Sequence, residues 1–266
     1  DYVLAGARAA LGQVVNTIYD FSQADVVVSL DSDFLASGPG YLRYARDFMQ
    51  RRSQALELGS PAAMNRLYVA ETAVTCTGAK ADHRLALPLS QIENLALALA
   101  SELKVAPSET AAGQHQPWIA AVARDLASHR GASLVIAGPR QPAAVHALAH
   151  AINDHLGNIG KTVKYVEPNR VNPVECLPSL AALVQDLRAG KVELLLILGG
   201  NPVYSAPADF QLAELLPKAK ARFRFGLFAD ETSRYCQWQL PAAHYLESWG
   251  DARAIDGTAS LVQPLI

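Results

Sequence analysis

The amino-acid sequence predicts an α/β protein with two lobes, each built on a mainly parallel sheet flanked by helices. Apolar runs without polar alternation, of which Leu194–Leu198 is the clearest, are typical of strands covered on both faces in a parallel sheet. Segments with helical spacing of apolar residues alternate with these runs. Such alternation of strand and helix indicates parallel sheets with helices on both faces.

The first lobe is predicted over residues 1–108. In chain order, its elements are a helix at 2–18, a strand at 26–30, a helix at 41–58, strands at 66–70 and 84–87, and a helix at 91–103. Val26, Val27 and Val28 favour a strand, because β-branched side chains pack well on a pleated sheet. In the last helix Leu95 and Leu99 recur at helical spacing and form an apolar stripe on one face.

The second lobe is predicted over residues 109–266. The boundary is placed near 106–113, where periodicity lapses and small or turn-forming residues gather. In chain order, the predicted elements are a helix at 118–129, a strand at 133–137, a helix at 142–156, a strand at 162–166, a helix at 180–188 and a strand at 194–198. Gly157 follows the second of these helices, as is typical of a helix C-terminus.

Composition narrows the class of protein. Half of the 266 residues are apolar and 18% are charged, as in globular proteins with a large core. The formal net charge of -2 argues against nucleic acid or an anionic membrane surface as the main partner. No apolar segment is long enough to span a bilayer. The chain opens at Asp1 without a leader-like segment and stops at Ile266 in mid-element, so we expect an excised piece of a longer protein.

The three cysteines, Cys76, Cys176 and Cys236, lie far apart and form no Cys-x-x-Cys pair. This spacing encodes neither a zinc site nor an iron–sulfur framework. Buried free thiols are the favoured state. A disulfide between two of the cysteines is the alternative.

A turn of Gly199, Gly200, Asn201 and Pro202 follows the apolar run Leu194–Leu198. Glycine lets a bound group approach the backbone closely, the Asn201 amide offers a donor and an acceptor, and Pro202 restricts Asn201 toward extended geometry. The turn is therefore either a ligand-binding loop or an ordinary strand-to-helix connection.

Other polar groups carry weaker signals. Carboxylates at predicted strand ends would bind a cation or act in acid–base chemistry if they faced one cleft, although capping and solvated loop roles are commoner. These carboxylates are Asp31, Asp33, Glu71, Asp82, Asp230 and Glu231.

His146 and His150 are four residues apart on a predicted helix, a spacing that zinc sites use, but no third ligand is evident, and we predict no metal site. The arginines of the second helix form either a docking face for an acidic partner or a solvated face. They are Arg43, Arg46, Arg51 and Arg52.

The last quarter of the chain resembles the molybdopterin oxidoreductase superfamily. The segments that carry the resemblance are 199–202, 228–232, 239–243, 247–251 and 256–257. In that family a strand–Asn-Pro turn, an Asp/Glu-Thr turn, a Leu-Pro-Ala segment and a Glu-x-x-Gly element follow in the same order. The resemblance implies two Rossmann-like lobes, as in the central domains that clamp a bis-pyranopterin guanine dinucleotide. It would place Gly200, Asn201, Pro202, Asp230 and Thr232 at that cofactor.

The first half is similar to one subfamily in particular, the ActB large iron–sulfur subunit of alternative complex III, a bacterial quinol-oxidising membrane complex. The similar segments are 29–35, 38–40, 65–71 and 77–85. Residues 87–93 lack the Arg-Pro-Gly-Thr-Asp loop with which active molybdenum enzymes hold the guanine nucleotide. Val163 replaces the last glycine of their Gly-Asn-Ile-Gly-x-x-Gly motif, and no Ser or Cys matches their molybdenum ligand. These departures favour a fragment without the cofactor.

The leading hypothesis is a catalytically silent scaffold within a molybdopterin-oxidoreductase-like subunit of a respiratory electron-transfer complex, with iron–sulfur clusters only outside this segment. The resemblance implies cytochrome and integral membrane subunits as partners and a periplasmic position at the inner membrane. The alternative is the cofactor-binding part of an active molybdenum oxidoreductase that carries molybdopterin guanine dinucleotide. A third hypothesis, a nucleotide-binding domain like the middle domain of thiamine-diphosphate enzymes, rests on residues 135–139.

Overall fold

The computed structural model describes residues 2–60, 64–107, 115–169 and 175–266. These residues divide into two compact units. The first comprises the described residues up to 169 together with 254–258, and the second comprises 175–253 together with 259–266. Each unit contains a parallel sheet with helices packed on it, so the predicted α/β class is confirmed. No described helix combines the length and the apolar character that crossing a membrane requires.

The first unit is built on a four-stranded sheet. The helices of this unit are α1 (Tyr2–Leu11), α2 (Tyr41–Glu57), α3 (Cys76–Ala79), α4 (Leu89–Glu102), α5 (Gln116–Ser128) and α6 (Ala143–His155). Its strands are β1 (Asn16–Tyr19), β2 (Val26–Leu30), β3 (Arg66–Glu71), β4 (His83–Ala86), β5 (Ser133–Ala137) and β6 (Val163–Val166). The sheet has the order β4-β3-β2-β5, and every neighbouring pair is parallel.

The central strand β2 is buried along its whole length. Val27 packs on one face with Phe48 of α2, while Val28 packs on the other face with Ile92 of α4 and Ile152 of α6. The order of the strands explains this arrangement. The chain runs from β2 to β3 and β4 in one direction and then returns to the opposite side of β2. Since crossovers are right-handed, opposite directions place helices on opposite faces.

The sequence prediction of a helix over 2–18 is wrong beyond Leu11. Residues 16–19 form β1, which pairs antiparallel with β6. The backbone of this segment therefore satisfies its hydrogen bonds with a strand nearly 150 residues away, a partner that local helical spacing does not reveal. The same pairing removes β6 from the parallel sheet in which its residues were expected.

The observed division also differs from the predicted lobes 1–108 and 109–266. Residues 133–137, assigned by sequence to the second lobe, pair in parallel with 26–30 and complete the first sheet. A lapse in periodicity marks a connection, but strand pairing decides which unit a segment joins. Residues 108–113 of the predicted boundary lie outside the described residues.

The second unit is built on a three-stranded parallel sheet with the order β7-β8-β9. Its elements are α7 (Cys176–Arg188), β7 (Leu194–Leu198), α8 (Pro202–Ser205), α9 (Leu212–Leu215), β8 (Ala221–Gly226), β9 (Trp238–Pro241), β10 (Gly250–Arg253) and β11 (Ala259–Val262). β10 and β11 form an antiparallel pair.

Only one face of the second sheet is covered by described helices. Leu195 packs there with Leu187 of α7 and Leu215 of α9. Because the chain runs from β7 to β8 to β9 in one direction, its right-handed crossovers lie on the same face. The leucines that point to the opposite face are exposed: Leu194, Leu196 and Leu198. The expectation that this strand is covered on both faces is therefore wrong in the described structure.

The three cysteines, all of which lie in the described residues, form no disulfide. Cys76 and Cys176 are exposed and Cys236 is half-buried, so the expectation of buried thiols is wrong. Cys76 and Cys176 are each the first residue of a helix, α3 and α7 respectively.

Candidate functional site

The carboxyl ends of β7 and β8 bring the predicted site residues together. Gly199, Gly200, Asn201 and Pro202 follow β7, and the turn 230–232 follows β8, its parallel neighbour. Gly199 has a φ of 78°, a left-handed conformation that glycine adopts without steric cost. Pro202 begins the short helix α8, where its missing N–H costs no hydrogen bond.

Asn201 joins the two loops through both atoms of its amide. Its Nδ2 donates to Glu231 Oε2 at 2.6 Å, and its Oδ1 accepts from Thr232 Oγ1 at 2.7 Å. Thr232 Oγ1 also accepts from the backbone N–H of Val203 at 3.1 Å. The hydrogen bond from Asn201 holds the pKa of Glu231 below its usual value. The side-chain groups that would recognise a ligand are thus bonded to one another.

Arg224 lies beneath the same two loops. It belongs to β8, and only 3% of its side chain is exposed. Its guanidinium donates to Asp230 Oδ2 at 2.8 Å and to the backbone carbonyl of Gly199. A Cβ on Gly226 would lie 2.5 Å from this guanidinium, so glycine is needed at 226 for Arg224 to take this position. One buried cation therefore ties the end of β7 to the turn after β8.

Asp230 is the anionic partner of this cation. Besides Arg224, Asp230 accepts from the backbone N–H of Ser233 at 3.0 Å. These hydrogen bonds, that from Arg224 first, lower the pKa of the Asp230 carboxyl. A charged pair of this kind is stable when buried only because further hydrogen bonds satisfy it.

Sequence reasoning placed Asn201, Asp230 and Thr232 at one site but missed Arg224. The available signal was two arginines, Arg222 and Arg224, that alternate with Phe223 and Phe225 in an otherwise apolar strand. A period of two places both arginines on one face of the sheet. A charge on the covered face of a strand requires a buried partner.

The carboxylates at the strand ends of the first unit are engaged in hydrogen bonds, and two of them, Asp33 and Glu71, contact α3 at Thr77 and at its N-cap Thr75. Each is held by neighbouring groups: Asp31 by Arg140 and Gln141, Asp33 by the backbone N–H and hydroxyl of Thr77, Glu71 by Arg84 and Thr75, and Asp82 by Arg52 and the backbone N–H of Leu67. These carboxylates fix loops and caps. Their arrangement favours the structural interpretation over cation binding.

His146 and His150 are buried in α6. Burial lowers the pKa of each imidazole to about 4, so both are neutral near pH 7. His150 Nδ1 lies 2.9 Å from the hydroxyl of Tyr165. Among the described residues, no group of three or more His, Cys, Asp or Glu side chains is arranged to hold a metal ion. The zinc-like spacing of the two histidines therefore gains no support from the structure.

The arginines of α2 make ion pairs within the first unit. Arg43 and Arg46 contact Asp47, Arg51 contacts Asp25, and Arg52 contacts Asp82. Arg52 also lies 4.7 Å from the centre of the Phe48 ring. These contacts account for the basic run without an acidic partner.

A cavity of about 820 Å³ lies between α1, α4 and α6. Several of its lining residues are alanines, among them Ala144, Ala147 and Ala151. None of the residues that follow the strands of either sheet contributes to its lining. We place the candidate site at the ends of β7 and β8 instead, because polar groups converge there and ligands of parallel sheets bind at strand ends.

Leu87 marks the place where the resemblance calls for a nucleotide-holding loop. Its side chain is buried in the core with residues of α4. That helix begins at Leu89, and its N-cap residue, Pro88, makes no side-chain capping hydrogen bond. The residues 87–89 offer apolar side chains and a proline, so they supply no side-chain group that binds a guanine base or a phosphate. The polar side chains of the segment 87–93 are those of Ser90, Gln91 and Glu93, which are exposed in α4.

The chain has the fold of solved α/β structures. Acetylene hydratase from Pelobacter acetylenicus superposes with a TM-score of 0.68 over 99% of this chain, at 12% sequence identity. The formyltransferase/hydrolase complex FhcABCD from Methylorubrum extorquens, solved with methylofuran, superposes with a TM-score of 0.58 over 98% of this chain, at 13% identity. The likeness at this level of identity shows the fold alone.

The chain spans 47% of the acetylene hydratase chain and 75% of the matched FhcABCD chain. No family model matches the sequence, and no curated protein matches it. The predicted architecture of parallel sheets flanked by helices is confirmed by these superpositions.

Proposed function

We propose that this chain is part of a molybdopterin-oxidoreductase-like subunit of a respiratory electron-transfer complex, of the quinol-oxidising alternative complex III type, and that it serves there as a scaffold without the pterin cofactor. The sequence motifs in both halves support this proposal. The fold shared with acetylene hydratase, which is of the molybdopterin type, supports its coarser part.

The observation that carries the scaffold proposal is the network of mutual hydrogen bonds at the strand ends of the second unit, in which Arg224 Nε is the one buried donor without a partner among the described residues. Asn201 uses its amide on Glu231 and Thr232, and Arg224 uses its guanidinium on Asp230 and a loop carbonyl. A bound cofactor needs converging donors and acceptors that are free to face it. A ligand that took Asp230 as its partner would first have to break the Arg224–Asp230 ion pair, whose hydrogen bonds are worth about 2 kcal/mol.

Partners and location follow from the resemblance and are part of the proposal. Cytochrome and integral membrane subunits would hold the complex at the periplasmic side of the inner membrane. Iron–sulfur clusters would lie outside residues 1–266. The role of this chain would then be to hold the neighbouring subunits in fixed positions.

One observation favours the alternative, an active molybdenum oxidoreductase with molybdopterin guanine dinucleotide. No heavy atom lies within 4 Å of a Cβ built on Gly200, so the outer side of the loop is open to an approaching group. In that case Gly200, Asn201, Pro202, Asp230 and Thr232 would contact the cofactor, which supplies the redox chemistry when bound.

Metal and pterin analysis of the native complex tests the proposal. The complex is purified without air, molybdenum, tungsten and iron are measured together, and pterin is measured by fluorescence after oxidation. We expect iron from the clusters without stoichiometric molybdenum, tungsten or pterin. Stoichiometric pterin with either metal would overturn the scaffold proposal.

Asn201→Ala provides a matched variant for the same preparation. A scaffold role predicts that the variant has lower thermal stability and an unchanged iron content. A loss of metal and pterin in this variant, at unchanged stability, would support the alternative.

A further inference from the structure

The second sheet presents an apolar surface to solvent, which we call the open face. Strand register places its members side by side: Leu196 beside Phe223 and Leu198 beside Phe225, while Phe223 adjoins Trp238. Paired residues of parallel strands point to the same side of the sheet. Leu196 is 54% exposed and Trp238 is 61% exposed. The members of the open face are Leu194, Leu196, Leu198, Phe223, Phe225, Trp238 and Leu240.

Such a surface is unusual for a parallel sheet. All-parallel sheets occur almost only with both faces covered, because crossover helices pack against them. Contiguous apolar patches on soluble proteins mark interaction sites. The open face carries no charged member, so whatever covers it must itself be apolar where it touches.

The order of the strands indicates which element covers the open face. The connections from β7 to β8 and from β8 to β9 run in one direction and lie on the Leu195 face, the second held there by the bond from Arg222, which is the register partner of Leu195, to the Tyr235 carbonyl. A strand added at the free edge of β7 by a crossover in the opposite direction would carry its helix to the open face. Doubly wound sheets cover their second face in this way.

The size of the open face fits one helix. Three strands about 4.8 Å apart span roughly 10 Å, which is close to the diameter of an α-helix with its side chains. Strands of four to six residues run for roughly 13–20 Å, a length that a helix covers with about 9–13 residues. An amphipathic helix of about three turns therefore matches both dimensions.

We infer that the open face docks an amphipathic α-helix of the same polypeptide, supplied from outside residues 1–266. The lengths of the similar structures support this source, since 99% of this chain superposes on only 47% of acetylene hydratase. The inference does not depend on the presence of a cofactor, because the open face and the site network belong to different groups of residues.

Alkylation of an introduced cysteine tests the inference in the native polypeptide that carries these residues. Leu196→Cys is compared with Lys191→Cys, whose lysine side chain is 72% exposed in the same unit. N-ethylmaleimide labelling is followed peptide by peptide, in buffer and in urea. A covered face predicts that Cys at 196 reacts at least about tenfold more slowly than Cys at 191 in buffer, and equally fast in urea.

Three results would overturn the inference. The first is equal reactivity of the two cysteines in buffer. The second is protection at 196 that disappears on dilution, which would indicate a second copy of the chain. The third is protection that requires phosphatidylcholine–phosphatidylglycerol vesicles, which would indicate a membrane surface.

A second measurement covers the case in which Leu196→Cys fails to fold. Hydroxyl-radical oxidation of Trp238 needs no substitution and is measured in the unaltered protein. Slow oxidation in buffer relative to urea, independent of protein concentration and of vesicles, supports the docked helix. Equally fast oxidation in buffer and urea contradicts it.

Discussion

The strands β2 and β7 have nearly the same apolar composition but different surroundings. All five residues of β2 are buried, whereas alternate residues of β7 are exposed. In the first unit the chain reverses direction at β2, so helices cover both faces of the sheet. In the second unit it does not reverse, and the described helices cover one face. An apolar run thus indicates a strand, but the order of strands decides which faces of that strand are covered.

The ends of the two sheets differ in a related way. In the first unit, carboxylates at strand ends are held by neighbouring groups, for example Asp33 by Thr77. In the second unit, Arg224, Asn201 and Thr232 form one network that spans two loops. The first unit thus combines a core on both faces of its sheet with local polar contacts, whereas the second combines a core on one face with a polar network at its strand ends.

Mild acid should lower the stability of the first unit more than that of the second. This is the largest effect that we expect. The pKa of His146 and that of His150 are about 4 in the folded protein, below the ordinary value of 6.5. Between about pH 6.5 and 4 the unfolded chain binds protons that the folded chain does not, so stability is full above this window and falls within it. Each histidine lowers the free energy of unfolding by about 1.4 kcal/mol for each pH unit below its ordinary pKa. Over the whole window the loss for the pair is several kcal/mol.

Hydrogen exchange in urea at pH 7, 5.5 and 4.5 measures this effect separately for each unit. The first unit should lose protection between pH 6.5 and 4. The second should change mainly below about pH 4, where Asp230 and Glu231, whose pKa values are lowered, take up protons. The double substitution His146→Gln, His150→Gln should flatten the slope of the first unit, and an unchanged slope would contradict the assignment.

A matched pair of leucine substitutions tests whether helices cover both faces of the first sheet but only one face of the second. Leu134 is fully buried in β5, and Leu196 is half exposed in β7. Leu134→Ala should lower the free energy of unfolding of the first unit by about 2–5 kcal/mol, because it leaves a cavity. In the chain of 266 residues, Leu196→Ala should change that of the second unit by about 0.5 kcal/mol or less. Urea unfolding followed by hydrogen exchange measures both values, and equal losses would show that the open face is covered within these residues.

Sequence reasoning recovered the elements better than their assembly. Valine and leucine runs located β2, β5 and β7, because local composition is what favours a strand. The antiparallel pair of β1 and β6 and the place of β5 in the first sheet depend on partners more than 100 residues away, which local patterns do not report. Asn201, Asp230 and Thr232 were assigned to one site through turn motifs. Arg224 was missed because its role depends on which face of β8 is covered.

Arg224→Met should destabilise the second unit by about 2 kcal/mol. The substitution removes hydrogen bonds from a charged donor, so Asp230 loses its cationic partner and the Gly199 carbonyl loses a donor. The lowered pKa of Asp230 contributes stability above about pH 4 that is lost as the pH falls through the folded value, so the variant should also lose this acid dependence. Thermal unfolding at pH 7 and pH 3 measures both effects.

Lys220→Met is the matched control for Arg224→Met. Lys220 pairs with Glu193 at 2.7 Å, but both side chains are more than 70% exposed. Removing this surface pair should cost less than about 1 kcal/mol. If the two variants were equally stable, Arg224 would not tie the two loops together.

Thr232→Val should lower the free energy of unfolding of the second unit by about 1 kcal/mol, through the loss of hydrogen bonds to Asn201 and Val203. Thr77→Val is its counterpart in the first unit, since the Thr77 hydroxyl likewise donates to a side chain, Asp33, and accepts from a backbone N–H. Its loss should be somewhat larger, because the Asp33 acceptor is charged. Chemical unfolding of the two variants measures both losses. If both threonines only join loops, each substitution lowers stability and leaves the pterin content of the native complex unchanged. If Thr232 contacts a cofactor, only Thr232→Val changes that content, and the two sheets then differ in function as well as in covering.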